Sequence, residues 1–174
     1  PQGRHLTATE LISKVRDIPG DRVIQMNHPR GSNGKGYLGS IDFDPETGLG
    51  DEPVATGFDT IEVNGEIDLG AESTMLDWFS LLKSGVRMTA VGVSDSHKTW
   101  DPGYPRTLVR VGTDDPAAVS EATFVAAMKA GRVTVSSGPF VVTSASSGAQ
   151  IASLGDTLDA SGGGGAGTLS VHVE

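Results

Sequence analysis

Two residues with metal-ligand chemistry stand close together after an apolar run in the middle of the chain. The segment 90–97 reads AVGVSDSH, which predicts a buried strand that ends near Asp95 and His97. In an extended backbone, residues i and i+2 project to the same side, so both side chains can face the space beyond the strand's C-terminal end. Carboxylate and imidazole donors together suit zinc, manganese or iron. The same pattern also fits a turn in which Asp95 caps the following loop.

A histidine and a glutamate occupy comparable places in two other predicted strands. The apolar segment 22–26 is followed by His28, and Pro29 cannot continue a strand ladder, so His28 belongs at the end of that strand. Glu62 lies within the segment 59–63 between two β-branched residues. Alternation turns it away from them, toward solvent or toward the interior of a barrel.

The elements that must position these residues alternate between helix and strand. A capping box at Thr7 and Glu10 predicts a helix that stops at Pro19, and a second helix is predicted from Ser73 to Gly85. A third helix is expected between residues 116 and 131. The residues expected to face the core are Leu11, Ile12, Val15 and Ile18 in the first helix, Met75, Leu76, Phe79 and Leu82 in the second, and Phe124, Ala127 and Met128 in the third. This order predicts an α/β fold.

Two stretches differ from this alternation. Residues 31–58 are rich in Gly, Asp and Pro and are predicted to form an ordered surface loop. From residue 132 onward, short alternating runs at 133–135, 140–143 and 169–173 predict β-structure, with a flexible turn at 161–167. We therefore divide the chain into residues 1–137, the α/β part, and residues 138–174, the beginning of a β-rich, sandwich-like domain.

Composition limits the classes of partner and ligand that the protein is expected to bind. The 174 residues carry a formal charge of −9 and no cysteine, which makes a nucleic-acid partner unlikely and leaves His and carboxylates as the ligands for a metal. No apolar run has the length of a membrane span, and no N-terminal signal pattern is present, so membrane insertion is not expected. Composition predicts neither the compartment nor the oligomeric state.

Five motifs in order resemble one protein family. The segments 27–29 (NHP), 61–65 (IEVNG), 91–97 (VGVSDSH), 103–107 (GYPRT) and 131–140 (GRVTVSSGPF) resemble the polymerase-and-histidinol-phosphatase (PHP) superfamily, and its carbaryl-hydrolase-like branch most of all. The resemblance spans roughly residues 7 to 143. It implies that this chain is the C-terminal portion of a distorted seven-stranded β/α barrel followed by the start of a β-sandwich.

The resemblance also implies an activity. Members hydrolyse esters with divalent metals at the barrel rim, so a small-molecule phosphoester, or a carbamate or carboxyl ester, is the expected substrate, and zinc, manganese or iron the expected cofactor. By position, His28, Asp95 and His97 match metal ligands. Glu62 either joins them or buttresses the site, and Arg30 and Arg106 are candidates to hold an anionic substrate, although either could instead be exposed or paired.

The chain departs from the family pattern at its start. The family's opening His-x-His is missing, and we expect it to precede Pro1, so the fragment would hold about half of the metal site. Two other hypotheses therefore stand. The chain could be a non-catalytic binding module of a secreted bacterial protein that recognises a glycan or a protein, or Asp95 and His97 could be a structural pair that holds the loop 98–105.

Overall fold

Helices and short strands alternate along the chain in the computed structural model, which describes residues 5–31, 36–64, 71–97, 102–158 and 167–173. The helices are α1 (Ala8–Arg16), α2 (Tyr37–Ser40), α3 (Ala71–Lys83) and α4 (Glu121–Lys129), with a 3₁₀ turn at Pro116–Ala118. The strands are β1 (Gln25–Met26), β2 (Thr60–Asn64), β3 (Thr89–Gly92), β4 (Arg106–Val109), β5 (Val133–Ser136), β6 (Val141–Ser147), β7 (Gln150–Ser153) and β8 (Thr168–Val173). The predicted α/β class is confirmed.

The strands form three small sheets. In the first, β1, β2 and β3 are parallel neighbours in that order, with Met26 opposite Ile61 and Ile61 opposite Ala90. The second pairs β4 with β5 antiparallel, and the third is antiparallel in the order β7-β6-β8. A closed barrel is not formed by the described strands, and the PHP-type barrel stays a prediction.

The main core lies against the parallel sheet. Met26, Ile61 and Leu81 are each at most 2% exposed and come from β1, β2 and α3. The segment 31–58 adds Leu38 and Phe43 to the same cluster, at 0% and 2% exposure. Our prediction of a surface loop there was therefore wrong. The buried residues sit on one helical turn and an irregular chain, so they show neither helical nor strand periodicity.

Helix α1 forms as its N-terminal signal predicts. The hydroxyl of Thr7 accepts from the backbone N–H of Glu10, whose carboxylate accepts from the N–H of Thr7, which completes the capping box. Its apolar face is less buried than predicted. Ile12 is 7% exposed, whereas Leu11 and Ile18 are each 54% exposed.

Helix α3 turns a different face inward from the one predicted. Asp77 and Leu81 are 0% and 1% exposed, while the residues expected in the core are exposed by 37–52%: Met75, Leu76, Phe79 and Leu82. Two polar contacts orient the helix: Asp77 pairs with Arg30, and the indole N–H of Trp78 donates to the carbonyl of Met88 at 2.8 Å. The buried face of α3 therefore includes Asp77, which hydropathy places outside, together with the apolar Leu81.

Helix α4 and the β-rich tail follow the sequence pattern more closely. Val125, Ala127 and Met128 are buried, and Phe124 is exposed instead of buried as expected. The strands at β5, β6 and β8 confirm the predicted runs, and β7 was not predicted. The turn predicted at 161–167 lies outside the described residues except for Gly167, and the domain division at residue 137 stays a prediction.

Within the described ranges, no helix combines the length and the apolar character needed to cross a bilayer.

Candidate metal centre

The C-terminal ends of the three parallel strands bring three predicted ligands together. His28 follows β1 by two residues, Glu62 lies within β2, and Asp95 follows β3 by three residues. Because the strands are parallel and adjacent, these positions share one edge of the sheet. The expectation that the strand ends converge is met for His28, Glu62 and Asp95.

The imidazole of His28 lies between two carboxylates. Its Nδ1 is 3.2 Å from Oε2 of Glu62, and its Nε2 is 3.7 Å from Oδ2 of Asp95. The Glu62 side chain is only 6% exposed, compared with 49% for His28 and 37% for Asp95. One carboxylate is thus part of the protein interior, and the other faces the solvent side of the ring. Glu62 does not point to solvent, although that was the simpler expectation for it.

The backbone is unusual at two of these residues. His28 and Asp95 have φ values of 46° and 43°, in the left-handed region that side chains other than glycine rarely adopt. Within the described parts of the chain, Asp42 is the third such non-glycine residue. Outliers of this kind cluster at functional sites, where the surrounding structure maintains them.

His97 lies near Asp95 but does not extend a strand with it. Strand β3 ends at Gly92, and the left-handed backbone of Asp95 removes the i, i+2 relation that we predicted. Nδ1 of His97 is instead 2.6 Å from the carbonyl oxygen of Asp95. A carbonyl only accepts hydrogen bonds, so in the neutral ring Nδ1 carries the proton and Nε2 the lone pair. With its side chain 78% exposed, His97 offers that lone pair to the solvent.

The spacing between His28 and Asp95 fits a metal ion. Zinc binds imidazole nitrogen and carboxylate oxygen at about 2.0–2.2 Å, so one ion can contact both atoms across the 3.7 Å gap. Within the described ranges, no three His, Asp or Glu side chains lie close enough to hold one ion. The pair therefore supplies two donors of a site that needs more, and the ligand set stays a prediction.

Arg30 is held by a buried carboxylate. Its Nε donates to Oδ2 of Asp77 at 2.7 Å, and its Nη2 donates to Oδ1 of Asp77 at 2.5 Å and to the carbonyl of Phe43 at 2.7 Å. The hydrogen bond to Asp77 raises the pKa of Arg30 above its ordinary value. These contacts are structural ones, and the predicted substrate role of Arg30 stays a prediction.

Arg106 braces the loop before β4. Its Nη1 donates to the carbonyl of Gly103 at 3.1 Å and its Nη2 to that of Gly138 at 2.7 Å, while its guanidinium lies over the ring of Tyr104 at 5.3 Å. The predicted role of Arg106 in substrate binding likewise stays a prediction.

Two glycines and a threonine that the sequence analysis did not single out support the strand ends. A Cβ at Gly36 would stand 1.9 Å from the carbonyl oxygen of His28, and one at Gly92 would stand 2.5 Å from Cγ1 of Val135. The hydroxyl of Thr107 accepts from the N–H of Gly92 at 2.9 Å and donates to its carbonyl at 2.8 Å. The glycines were visible in the sequence, but the close approaches that require them were not, since Val135 lies 43 positions after Gly92 and no periodicity relates Gly36 to His28, eight positions earlier.

None of the protein-family models, curated proteins or solved structures compared with this chain matches it significantly. The likeness to the PHP superfamily therefore rests on the five sequence motifs, and the geometry at the strand ends is independent of it.

Proposed function

We propose that the protein is a metal-dependent hydrolase of the PHP type that cleaves a phosphoester, or a carbamate or carboxyl ester. The observation that carries the proposal is the convergence of His28 and Asp95 at neighbouring strand ends, each with a left-handed backbone and with a metal-sized gap between the two side chains.

Each residue has a distinct part in this proposal. His28 and Asp95 would hold the ion between them, and His97 would join them only by turning its exposed ring, because the described side chains form no group of three around one ion. Bound zinc, manganese or iron would lower the pKa of a water molecule and polarise the ester. The protein's own contribution is to fix the donors in place and to leave one side of the site open to a small substrate.

The test combines metal content with turnover. The purified protein is incubated with zinc, manganese or ferrous iron, dialysed, and analysed for bound metal, and the same samples are assayed with p-nitrophenyl phosphate, p-nitrophenyl acetate and naphthyl carbamate. We expect near-stoichiometric metal in the natural sequence. His28→Ala and Asp95→Ala should each lower metal affinity at least about tenfold and lower turnover with it, because each removes a direct ligand.

Matched controls come from residues of the same types outside the site. His5 and Asp51 are exposed, and His5→Ala and Asp51→Ala should leave metal content and turnover unchanged. Metal that binds equally well to the two site variants would refute the assignment. Metal binding without turnover of any ester would refute the hydrolase proposal for this chain while keeping the metal centre.

A binding module is the second candidate, and the surface of the third sheet favours it. Strand β8 exposes Leu169, Val171 and Val173 by 55–69%, and these alternate residues share one face of the β7-β6-β8 sheet. An apolar row of this kind suits contact with a protein or a glycan. If the natural sequence binds stoichiometric metal and turns over an ester, and His28→Ala loses both, this candidate is ruled out.

A further inference from the structure

A single buried oxygen lies close to two different groups of His28. Oε2 of Glu62 accepts the backbone N–H of His28 at 2.7 Å and is 3.2 Å from Nδ1 of the same residue. The Glu62 side chain is 6% exposed, so water has little access to that oxygen. One carboxylate oxygen therefore contacts both the backbone and the ring of a candidate ligand.

The two ring nitrogens of His28 have different surroundings. A carboxylate only accepts hydrogen bonds, so the nitrogen at hydrogen-bond distance from Glu62 is the one expected to carry the proton. The 3.7 Å between Nε2 and Asp95 is longer than a hydrogen bond. The soft χ2 torsion of histidine lets the ring align Nδ1–H with the buried oxygen.

We propose that Glu62 is a positioning residue and not a metal ligand. Through this one oxygen it holds the left-handed backbone of His28 and the Nδ1–H tautomer of its ring, which leaves Nε2 as the atom that faces Asp95. The positioning role rests on the proposed function, because it matters only if His28 binds a metal. The tautomer itself is expected in the metal-free protein as well.

The placement of the two carboxylates excludes a direct role for this oxygen. Nδ1 and Nε2 flank Cε1 and point outward in divergent directions, so an ion bound to Nε2 would lie away from the oxygen beside Nδ1. A carboxylate behind a ligating histidine fixes ring orientation and raises ligand basicity. His97 reaches the same tautomer through a backbone carbonyl. The two histidines would thus present equivalent nitrogens to the site.

The experiment reads the tautomer directly. Protein labelled with ¹⁵N-histidine is examined without metal at pH 8, above the ordinary titration range of histidine, by long-range ¹H–¹⁵N correlation NMR. The four histidines are assigned by single His→Asn variants. We expect His28 to show a protonated Nδ1 and a bare Nε2. A proton on Nε2, or on both nitrogens, overturns the proposal.

Variants then test the dependence on Glu62. Glu62→Gln can place its amide oxygen where Oε2 lies, so it should keep the tautomer and reduce zinc affinity by less than about tenfold. Glu62→Met removes the acceptor and should mix the tautomers, lower the hydrogen-exchange protection of the His28 amide at least about tenfold, and weaken zinc binding by about 10–100-fold. Asp95→Asn is the matched control and should leave the tautomer unchanged.

The outcomes distinguish a failure of the positioning role of Glu62 from a failure of the proposed hydrolase function. If Glu62→Met fails to fold, the tautomer in the natural protein and in Glu62→Gln still decides. An unchanged His28 tautomer in a folded Glu62→Met overturns the positioning role even if metal binds. A Glu62-dependent tautomer in a protein that binds no metal supports the positioning role and removes the proposed hydrolase function.

Discussion

At the scale of single residues, the sequence is most informative where a residue that can bind metal lies at the end of a predicted strand. His28 was placed by the proline that follows it, and Asp95 by the apolar run that precedes it, and the structure brings the two side chains to 3.7 Å. Their left-handed backbones were not predicted. Such a conformation depends on contacts such as the Glu62 hydrogen bond, which joins residues 34 positions apart.

The pairing of Arg30 with Asp77 leads to a stability prediction. Arg30→Ala would leave a carboxylate that is 0% exposed without its counter-charge. We expect this change to lower the free energy of unfolding by about 3–5 kcal/mol. Urea unfolding followed by circular dichroism measures it. Arg30→Lys should recover only part of the loss, because an ammonium group cannot reproduce the two parallel hydrogen bonds.

The double variant Arg30→Met/Asp77→Leu provides the control for that prediction. It removes both charges, and although leucine is larger than aspartate it leaves no buried charge unpaired, so the double variant should be more stable than Arg30→Ala alone. A loss below about 1 kcal/mol in Arg30→Ala would mean that the pair behaves as a solvated surface bridge. Arg30 would then be free to serve the substrate role that its position suggested.

At the scale of secondary-structure elements, local sequence signals predicted where helices form, but hydropathy did not predict which face of a helix is buried. The capping box of α1 and the end of α4 before Gly131 could be predicted because their causes lie within a few residues, whereas the start of α4 at Glu121 lies five residues after the predicted one. The buried face of α3 could not, because hydropathy puts Asp77 outside. Its partner Arg30 lies 47 positions earlier and was not identifiable from the spacing. Glu62 illustrates the same limit within β2, where alternation allowed both solvent and interior and solvent was the simpler expectation.

The turn that carries His28 depends on a close backbone approach at Gly36. Because an added Cβ would lie 1.9 Å from the His28 carbonyl oxygen and 2.5 Å from that of Pro29, Gly36→Ala must displace this turn. We expect Gly36→Ala to lower zinc affinity at least about tenfold although it removes no ligand, since loss of ligand orientation has effects of that size. Isothermal titration calorimetry with zinc measures the change.

Gly138→Ala is the matched control, because a Cβ at Gly138 meets nothing within 4 Å. It should bind zinc as the natural sequence does. If Gly36→Ala also binds zinc normally while remaining folded, the turn tolerates displacement, and the position of His28 does not depend on this contact.

At the scale of the whole molecule, the α/β class followed from the alternation of elements, and the three separate sheets did not. The parallel sheet positions His28, Glu62 and Asp95, while β4 and β5 brace the end of β3 through Thr107. Long-range bonds join these parts. Lys129 of α4 binds Asp21, 108 positions away, and this hydrogen bond lowers the pKa of the Asp21 carboxyl. Pairings of this length leave no local pattern in a sequence.

Metal binding should be visible in the stability of the entire molecule. A ligand that binds only the folded state at 100 times its Kd adds about 2.7 kcal/mol. In a protein of this size, 1 kcal/mol raises the melting temperature by about 2–4 °C, so saturating zinc should raise it by about 5–11 °C. Differential scanning calorimetry measures the shift, and a chelator such as EDTA should reverse it.

The site variants identify the origin of that shift. His28→Ala and Asp95→Ala should show little or none of it, because each removes one of the two donors that flank the gap, whereas His5→Ala should show all of it. A shift of equal size in all three variants would place the bound metal elsewhere on this acidic chain. A shift lost in Asp95→Ala but kept in His28→Ala would assign the ion to Asp95 and His97, and would remove His28 from the ligand set.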